Sequence, residues 1–108
     1  MTFEEYQSKA RTTLVYNGNT HEELIARMAL GLNGESGEIA EVVKKVLRGD
    51  GIPNYTDRLI KEMGDVLWYL ACMSSILGID FSAVAEENIK KLQDRKDRNV
   101  IKGSGDDR

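Results

Sequence analysis

The sequence contains only one cysteine, Cys72, and one histidine, His21, in 108 residues. A single cysteine cannot form an intramolecular disulfide, which favours a reducing compartment such as the cytoplasm. Zinc sites are built mainly from cysteine and histidine, and di-iron helical bundles pair glutamate with histidine. The near absence of both residues therefore argues against a zinc site and against a di-iron site.

The sequence also lacks a long apolar run and an excess of positive charge. No stretch of about 18 apolar residues occurs, and the first ten residues lack the apolar core of a signal peptide. We therefore expect a cytoplasmic protein with no membrane partner. The 15 Lys and Arg residues are outnumbered by 18 Asp and Glu, for a net charge of −3. We expect no nucleic-acid partner, and an anionic substrate would need a metal or a local cluster of cations.

Proline occurs once, at Pro53, and most of the chain has helical periodicity. Hydrophobic residues make up 41% and charged residues 31%, a balance typical of a globular protein. The sequence therefore predicts one all-α domain over residues 1–108, a four-helix bundle that oligomerises to bury shared apolar faces. The predicted helices begin at the capping boxes Thr2–Glu5 and Thr20–Glu23, at Asp57 and, after the N-cap Asp80, at Phe81. The first is broken at Asn17-Gly18-Asn19, and the last three end at Leu47, at Leu77 before Gly78, and at Lys96.

Four acidic residues lie where a bundle is expected to be apolar. Because a helix turns about 100° per residue, Glu35 falls within the apolar stripe of the second helix and Glu38 lies at its edge. On the third helix, Glu62 and Asp65 also fall on the apolar side. Converging carboxylates in a low-dielectric site must be neutralised, and all-oxygen ligands select a hard cation such as Mg²⁺, Mn²⁺ or Ca²⁺. The four acids therefore predict a divalent metal site.

Solvent exposure is the alternative explanation for these acids. A single Glu-x-x-Glu pair on a helix usually faces solvent, but two such pairs on the apolar stripes of adjacent helices favour a site. Glu41 continues the spacing but is rotated outwards, so we expect it at the surface. Glycines at 31, 34 and 37 lower helix propensity, and they leave gaps where a neighbouring helix or a ligand could approach closely.

The segments GESGEIAEVVKKVLRG and RLIKEMGDVLWYLACMSSILGID resemble the MazG-like nucleotide pyrophosphohydrolase family, part of the all-alpha NTP pyrophosphatase superfamily. The signature of that family is Glu-Glu-x-x-Glu followed, after a spacer, by Glu-x-x-Asp. Glu35 and Glu38 match the second and third acids, and Gly34 stands at the first. Glu62 and Asp65 match the second element. This departure at Gly34 leaves the number of metal ions open.

The resemblance implies an Mg²⁺-dependent enzyme, with Mn²⁺ able to substitute, that works as a homodimer or homotetramer. It would hydrolyse an NTP or dNTP to the monophosphate and pyrophosphate. The four acids would hold the metal and be catalytic, and either one of the glutamates or the metal would activate water. Base and sugar preference stay open.

The resemblance also carries over substrate-binding residues on the last helix. Lys91 and Arg95 match a Lys-x-x-x-Arg element that faces substrate phosphates, and Asn88 is a further match. Lysine and arginine near a helix C-terminus are favourable in any protein. These two residues therefore either bind substrate phosphates or only stabilise the end of the helix. Trp68 and Tyr69 either stack on a nucleobase or belong to the core or a subunit interface.

Two other questions stay open on the sequence alone. The glycine-rich tail Gly103-Ser-Gly105 could wrap a phosphate through its backbone N–H groups, or it could be a frayed terminus. The function itself has two alternatives: a non-catalytic oligomer that binds a metal or a nucleotide, and a structural adaptor that binds partner helices.

Overall fold

The computed structural model describes residues 1–108 and contains four helices and no strands. The helices are α1 (Phe3–Arg11), α2 (His21–Arg48), α3 (Tyr55–Leu77) and α4 (Phe81–Asp97). The prediction of an all-helical chain is therefore confirmed, and the four helix starts and the last three helix ends lie within two residues of the predicted ones. The end of the first helix was wrong, because α1 ends at Arg11 rather than at the Asn17-Gly18-Asn19 break.

Side chains satisfy the free N–H groups at the first two helix starts. Before α1, Thr2 Oγ1 accepts from the Glu5 backbone N–H at 3.1 Å, and the Glu5 carboxylate accepts from the Thr2 N–H at 3.4 Å. This is the predicted capping box. Before α2, Thr20 Oγ1 accepts from the Glu23 N–H at 3.2 Å. The Glu23 carboxylate instead accepts from the Asn19 side-chain amide at 3.0 Å, so only half of the second predicted capping box is present.

Glycine ends both long helices. Gly49 follows α2 with φ 82°, and Gly78 follows α3 with φ 71°. Both lie in the left-handed region, where glycine has no Cβ penalty, and their N–H groups donate to carbonyls in the last turn of the helix. Asp80 precedes α4 as predicted, but its side chain makes no capping hydrogen bond. The Phe81 N–H instead donates to Gln7 Oε1 on α1, at 2.9 Å.

Helices α2 and α3 form an antiparallel hairpin. Gly31 of α2 lies against the Tyr69 ring, and one turn later Glu35 lies beside Asp65, which precedes Tyr69 on α3. At Gly31 the predicted close approach of a neighbouring helix is confirmed, whereas no atom lies within 4 Å of a Cβ built at Gly34. The small buried core joins α1, the hairpin and the start of α4, through Ala10, Met28, Ala71, Cys72 and Phe81.

Helix α4 leaves the hairpin at a steep angle. The axes of α3 and α4 are bent by 106°, and no Cα atom of α4 lies within 8 Å of one in α2. The chain therefore has the four predicted helices without closing them into a bundle by itself. No single helix is long and apolar enough to cross a membrane, and α3 and α4 meet that criterion only together, as this bent pair.

Candidate metal and nucleotide site

Three of the four predicted acids meet between α2 and α3. One carboxylate oxygen from each of Glu35, Glu62 and Asp65 lies within 4.8 Å of the other two. Glu62 and Asp65 share a face of α3 because they are three residues apart, and the antiparallel pairing brings Glu35 opposite them. Glu35 and Glu62 are half-buried, whereas Asp65 is exposed, so the group opens to solvent on one side.

No basic side chain neutralises this carboxylate group. None of the ion pairs in the structure includes Glu35, Glu62 or Asp65. Burial raises the pKa of Glu35 above its usual value, and the negative charges of Asp65, Glu62 and Glu38 raise it further. The ionised form of Glu35 is therefore disfavoured where it stands, and a cation would relieve that cost.

The donor set fits a hard divalent cation. All three donors are carboxylate oxygens, the ligands that Mg²⁺ and Mn²⁺ take in proteins. Bonds of about 2.0–2.1 Å separate opposite ligands of Mg²⁺ by about 4.2 Å. Oxygens that already lie within 4.8 Å of one another need only small side-chain rotations to share one ion.

Glu38 lies outside the group of three, one turn further along α2. It is exposed and lines a cavity of about 360 Å³, which it shares with Glu62. Glu41 lines the same cavity but is paired with Lys44 at 2.8 Å, in agreement with its expected surface position. Three of the four acids predicted to converge therefore do so, and Glu38 lies next to them.

The same cavity is lined by three cations, Lys45, Arg58 and Lys61. No role in the site was predicted from the sequence for any of these three residues. A signal was available: Arg58 precedes Glu62 by four residues, so both lie on one face of α3. Carboxylates and cations therefore line one open cavity, an arrangement suited to a metal-bound polyphosphate.

The predicted phosphate-binding residues of α4 lie elsewhere on the chain. Lys91 Nζ is 2.8 Å from Asp106 Oδ1, and Arg95 Nη2 is 3.2 Å from the same oxygen. Asn88 and Lys91 line a separate cavity of about 670 Å³ together with Asp106. This cavity shares no lining residue with the one beside the acids, so a single chain does not bring the two predicted sets together.

Trp68 and Tyr69 are both half-buried and pack against the core. The Trp68 indole N–H donates to Thr13 Oγ1 at 2.7 Å, just beyond α1. The Tyr69 ring contacts Gly31, and the two aromatic rings meet edge to face with centroids 5.0 Å apart. These contacts are those of packing residues, and stacking on a nucleobase stays a prediction.

Comparison with known proteins gives one decisive match. The sequence model of the MazG nucleotide pyrophosphohydrolase domain matches residues 20–100. This chain belongs to that family. It is also 45% identical over 109 aligned residues to the Gene 37 protein of Mycobacterium phage L5, an alignment that covers 95% of this chain and 96% of that protein. No solved structure gave a significant match.

The MazG match spans α2, α3 and α4, and therefore every predicted site residue of the chain. The segment from Ile101 to Arg108 lies beyond the match, yet it has a defined arrangement. The Arg108 guanidinium donates to the carbonyls of Val100 at 3.2 Å and of Ile101 at 3.1 Å. These bonds hold the tail against the end of α4, and a phosphate-binding role for Gly103-Ser-Gly105 stays a prediction.

Proposed function

We propose that this MazG-family protein is an Mg²⁺-dependent nucleoside triphosphate pyrophosphohydrolase. It hydrolyses the α–β phosphoanhydride of an NTP or dNTP, giving the monophosphate and pyrophosphate. The observation that carries the proposal is the group of Glu35, Glu62 and Asp65, which has no cation partner and borders a cavity lined by Lys and Arg.

In this proposal the carboxylates would hold Mg²⁺, and Mn²⁺ would be able to replace it. A bound divalent ion supplies charge neutralisation at the phosphate oxygens and acidifies water. Glu35, Glu62 and Asp65 would hold the ion through one carboxylate oxygen each. Glu38 lines the cavity with no ion pair, so it is placed either to add a ligand or to accept a proton from the attacking water.

The cations of the cavity have the role of binding the polyphosphate. Lys45, Arg58 and Lys61 line the same space as Glu38 and Glu62, so they can contact phosphate oxygens on a metal-bound nucleotide. Their charges favour the departing pyrophosphate, because negative charge builds up on it as the bond breaks.

The substrate-binding role of α4 requires a second subunit in this proposal. Asn88, Lys91 and Arg95 are remote from the acids of their own chain, because α4 turns away from α2. We therefore place them at the site of a neighbouring subunit, in a homodimer or homotetramer.

Substitution of the acids tests the proposal. Asp65→Asn and Glu62→Gln keep side-chain shape but remove negative charge, and we expect each to reduce pyrophosphate release by at least about 100-fold, as loss of key electrostatic groups does elsewhere. Glu86→Gln is the matched control, an exposed acid on α4 with no ion pair, and should keep full activity. Near-normal release by both site variants would contradict the assignment.

A further inference from the structure

The segment from Val100 to Arg108, which we call the C-terminal strap, folds back onto the end of α4. The Val100 N–H donates to the Arg95 carbonyl at 2.8 Å, and the Arg98 guanidinium donates to the main-chain oxygen of Arg108 at 2.7 Å. The strap thereby carries Asp106 to the two cations that the family resemblance assigns to substrate phosphates.

Asp106 acts on both cations through one oxygen. Its Oδ1 accepts from Lys91 Nζ at 2.8 Å and from Arg95 Nη2 at 3.2 Å. The Asp106 carbonyl also accepts from Arg95, so Asp106 is the only hydrogen-bond partner of the Arg95 side chain. An anionic oxygen that bridges a lysine and an arginine in this way is what a phosphate group would supply.

The strap covers Arg95 without burying its own carboxylate. The Arg95 side chain is only 6% exposed, whereas the Asp106 side chain is 76% exposed. Hydrogen bonds from Lys91 and Arg95 lower the pKa of Asp106, so its carboxylate is ionised at neutral pH. The buried Arg95 guanidinium can contact a phosphate only if the strap moves. The ion pairs of the exposed Asp106 carboxylate are weak enough for another anion to replace it.

We propose that the C-terminal strap is an autoinhibitory element whose Asp106 carboxylate occupies the phosphate position on Lys91 and Arg95. A polyphosphate of higher charge displaces Asp106 and opens the strap, which exposes Arg95. This inference rests on the proposed function, because it takes Lys91 and Arg95 to be phosphate ligands.

Binding of inorganic tripolyphosphate, measured by calorimetry, tests the competition without requiring hydrolysis. Asp106→Asn removes the competing charge, and we expect it to bind tripolyphosphate about twofold to fivefold more tightly than the unmodified protein. Asp107→Asn removes the same charge one residue away, at a position with no ion pair, and should bind as the unmodified protein does. Equal affinities for the two variants, or weaker binding by Asp106→Asn, would overturn the proposal.

Amide hydrogen exchange of the unmodified protein gives a second readout, independent of whether a variant folds. The Val100 N–H, which donates to the Arg95 carbonyl at 2.8 Å, should exchange faster with tripolyphosphate bound, and unchanged or slower exchange would overturn the strap proposal. A protein that shows this opening but releases no pyrophosphate from nucleotides would refute the reaction and keep the strap. Pyrophosphate release without the opening would refute the strap alone.

Discussion

At the scale of single residues, Glu35 shows most clearly that the site is unfavourable without a cation. It is half-buried on α2, and the three neighbouring acids all carry the same charge. Lysine or arginine partners would normally offset such a position, yet the cations nearby line the adjacent cavity instead. A neutral residue at position 35 would remove this repulsion, so the arrangement is costly to folding unless a cation binds.

The raised pKa of Glu35 makes folding stability depend on pH. The folded state holds the Glu35 proton above its ordinary pKa of 4.5. The contribution of Glu35 to stability is therefore full below pH 4.5 and is lost as pH rises through the raised pKa. We expect the unmodified protein to lose stability relative to Glu35→Gln over that interval, measured by urea unfolding. Saturating Mg²⁺ at pH 7 should stabilise the unmodified protein more than the variant. A pH profile identical in both proteins would contradict the shift.

At the scale of helices, the close contact between α2 and α3 sets the position of the acids. Gly31 lets the Tyr69 ring approach the backbone of α2, and this contact lies one turn from Glu35 and Asp65. A side chain at that position would push the helices apart. The separation of the carboxylates therefore depends on a glycine that makes no contact with them.

Two glycine substitutions test this packing. Gly31→Ala gains up to about 1 kcal/mol of helix propensity but places a methyl group against the Tyr69 ring, and overpacking costs about 1–3 kcal/mol. We expect net destabilisation in urea unfolding. Gly34→Ala is the matched control, because nothing lies within 4 Å of its added methyl group, and it should stabilise by up to about 1 kcal/mol. If Gly31→Ala proved as stable as Gly34→Ala, the proposed role of the contact would be wrong.

Local signals in the sequence were sufficient to predict the helices and three of the four acids. Capping residues and terminal glycines act within one turn of the chain, so Thr2, Thr20 and Gly78 marked helix limits correctly. The turn of about 100° per residue places the acids on the apolar face of each helix. An antiparallel hairpin packs those two faces together, so the acids meet.

Contacts between distant segments escaped the sequence interpretation. The direction of α4 depends on Gln7, whose side chain bonds the Ile79 carbonyl and the Phe81 N–H at 2.9 Å each, across more than 70 residues. Asp106 pairs with Lys91 across a non-helical segment. Helical periodicity therefore does not predict where the Asp106 side chain lies. Neither contact leaves a repeating pattern in the sequence.

At the scale of the whole molecule, the single chain is open and leaves much apolar surface exposed. Its radius of gyration is 16.8 Å, whereas a compact domain of this length has about 13 Å. Only 7 of 108 residues are buried, and many large apolar side chains are exposed, including Leu30, Ile60 and Met63. A second copy that covers these faces would account for the exposed apolar surface and would bring another α4 within reach of the acids.

We therefore expect a homodimer or homotetramer in analytical ultracentrifugation, with a melting temperature that rises with protein concentration. Ile60→Lys places a charge on the exposed apolar face of α3 and should shift the population towards monomer. Val15→Lys, at an exposed loop position, is the control and should leave the assembly intact. A monomer at all concentrations up to about 100 μM, above the Kd range of stable complexes, would contradict this expectation.

The most direct test of the central claim is phosphorus NMR of the products formed from a panel of NTPs and dNTPs, with Mg²⁺ and with EDTA. We predict that the Mg²⁺ reaction yields a nucleoside monophosphate and pyrophosphate in equal amounts, and that EDTA abolishes both. Release of a diphosphate and inorganic phosphate, or no cleavage by a folded protein that still binds Mg²⁺, would contradict the assignment.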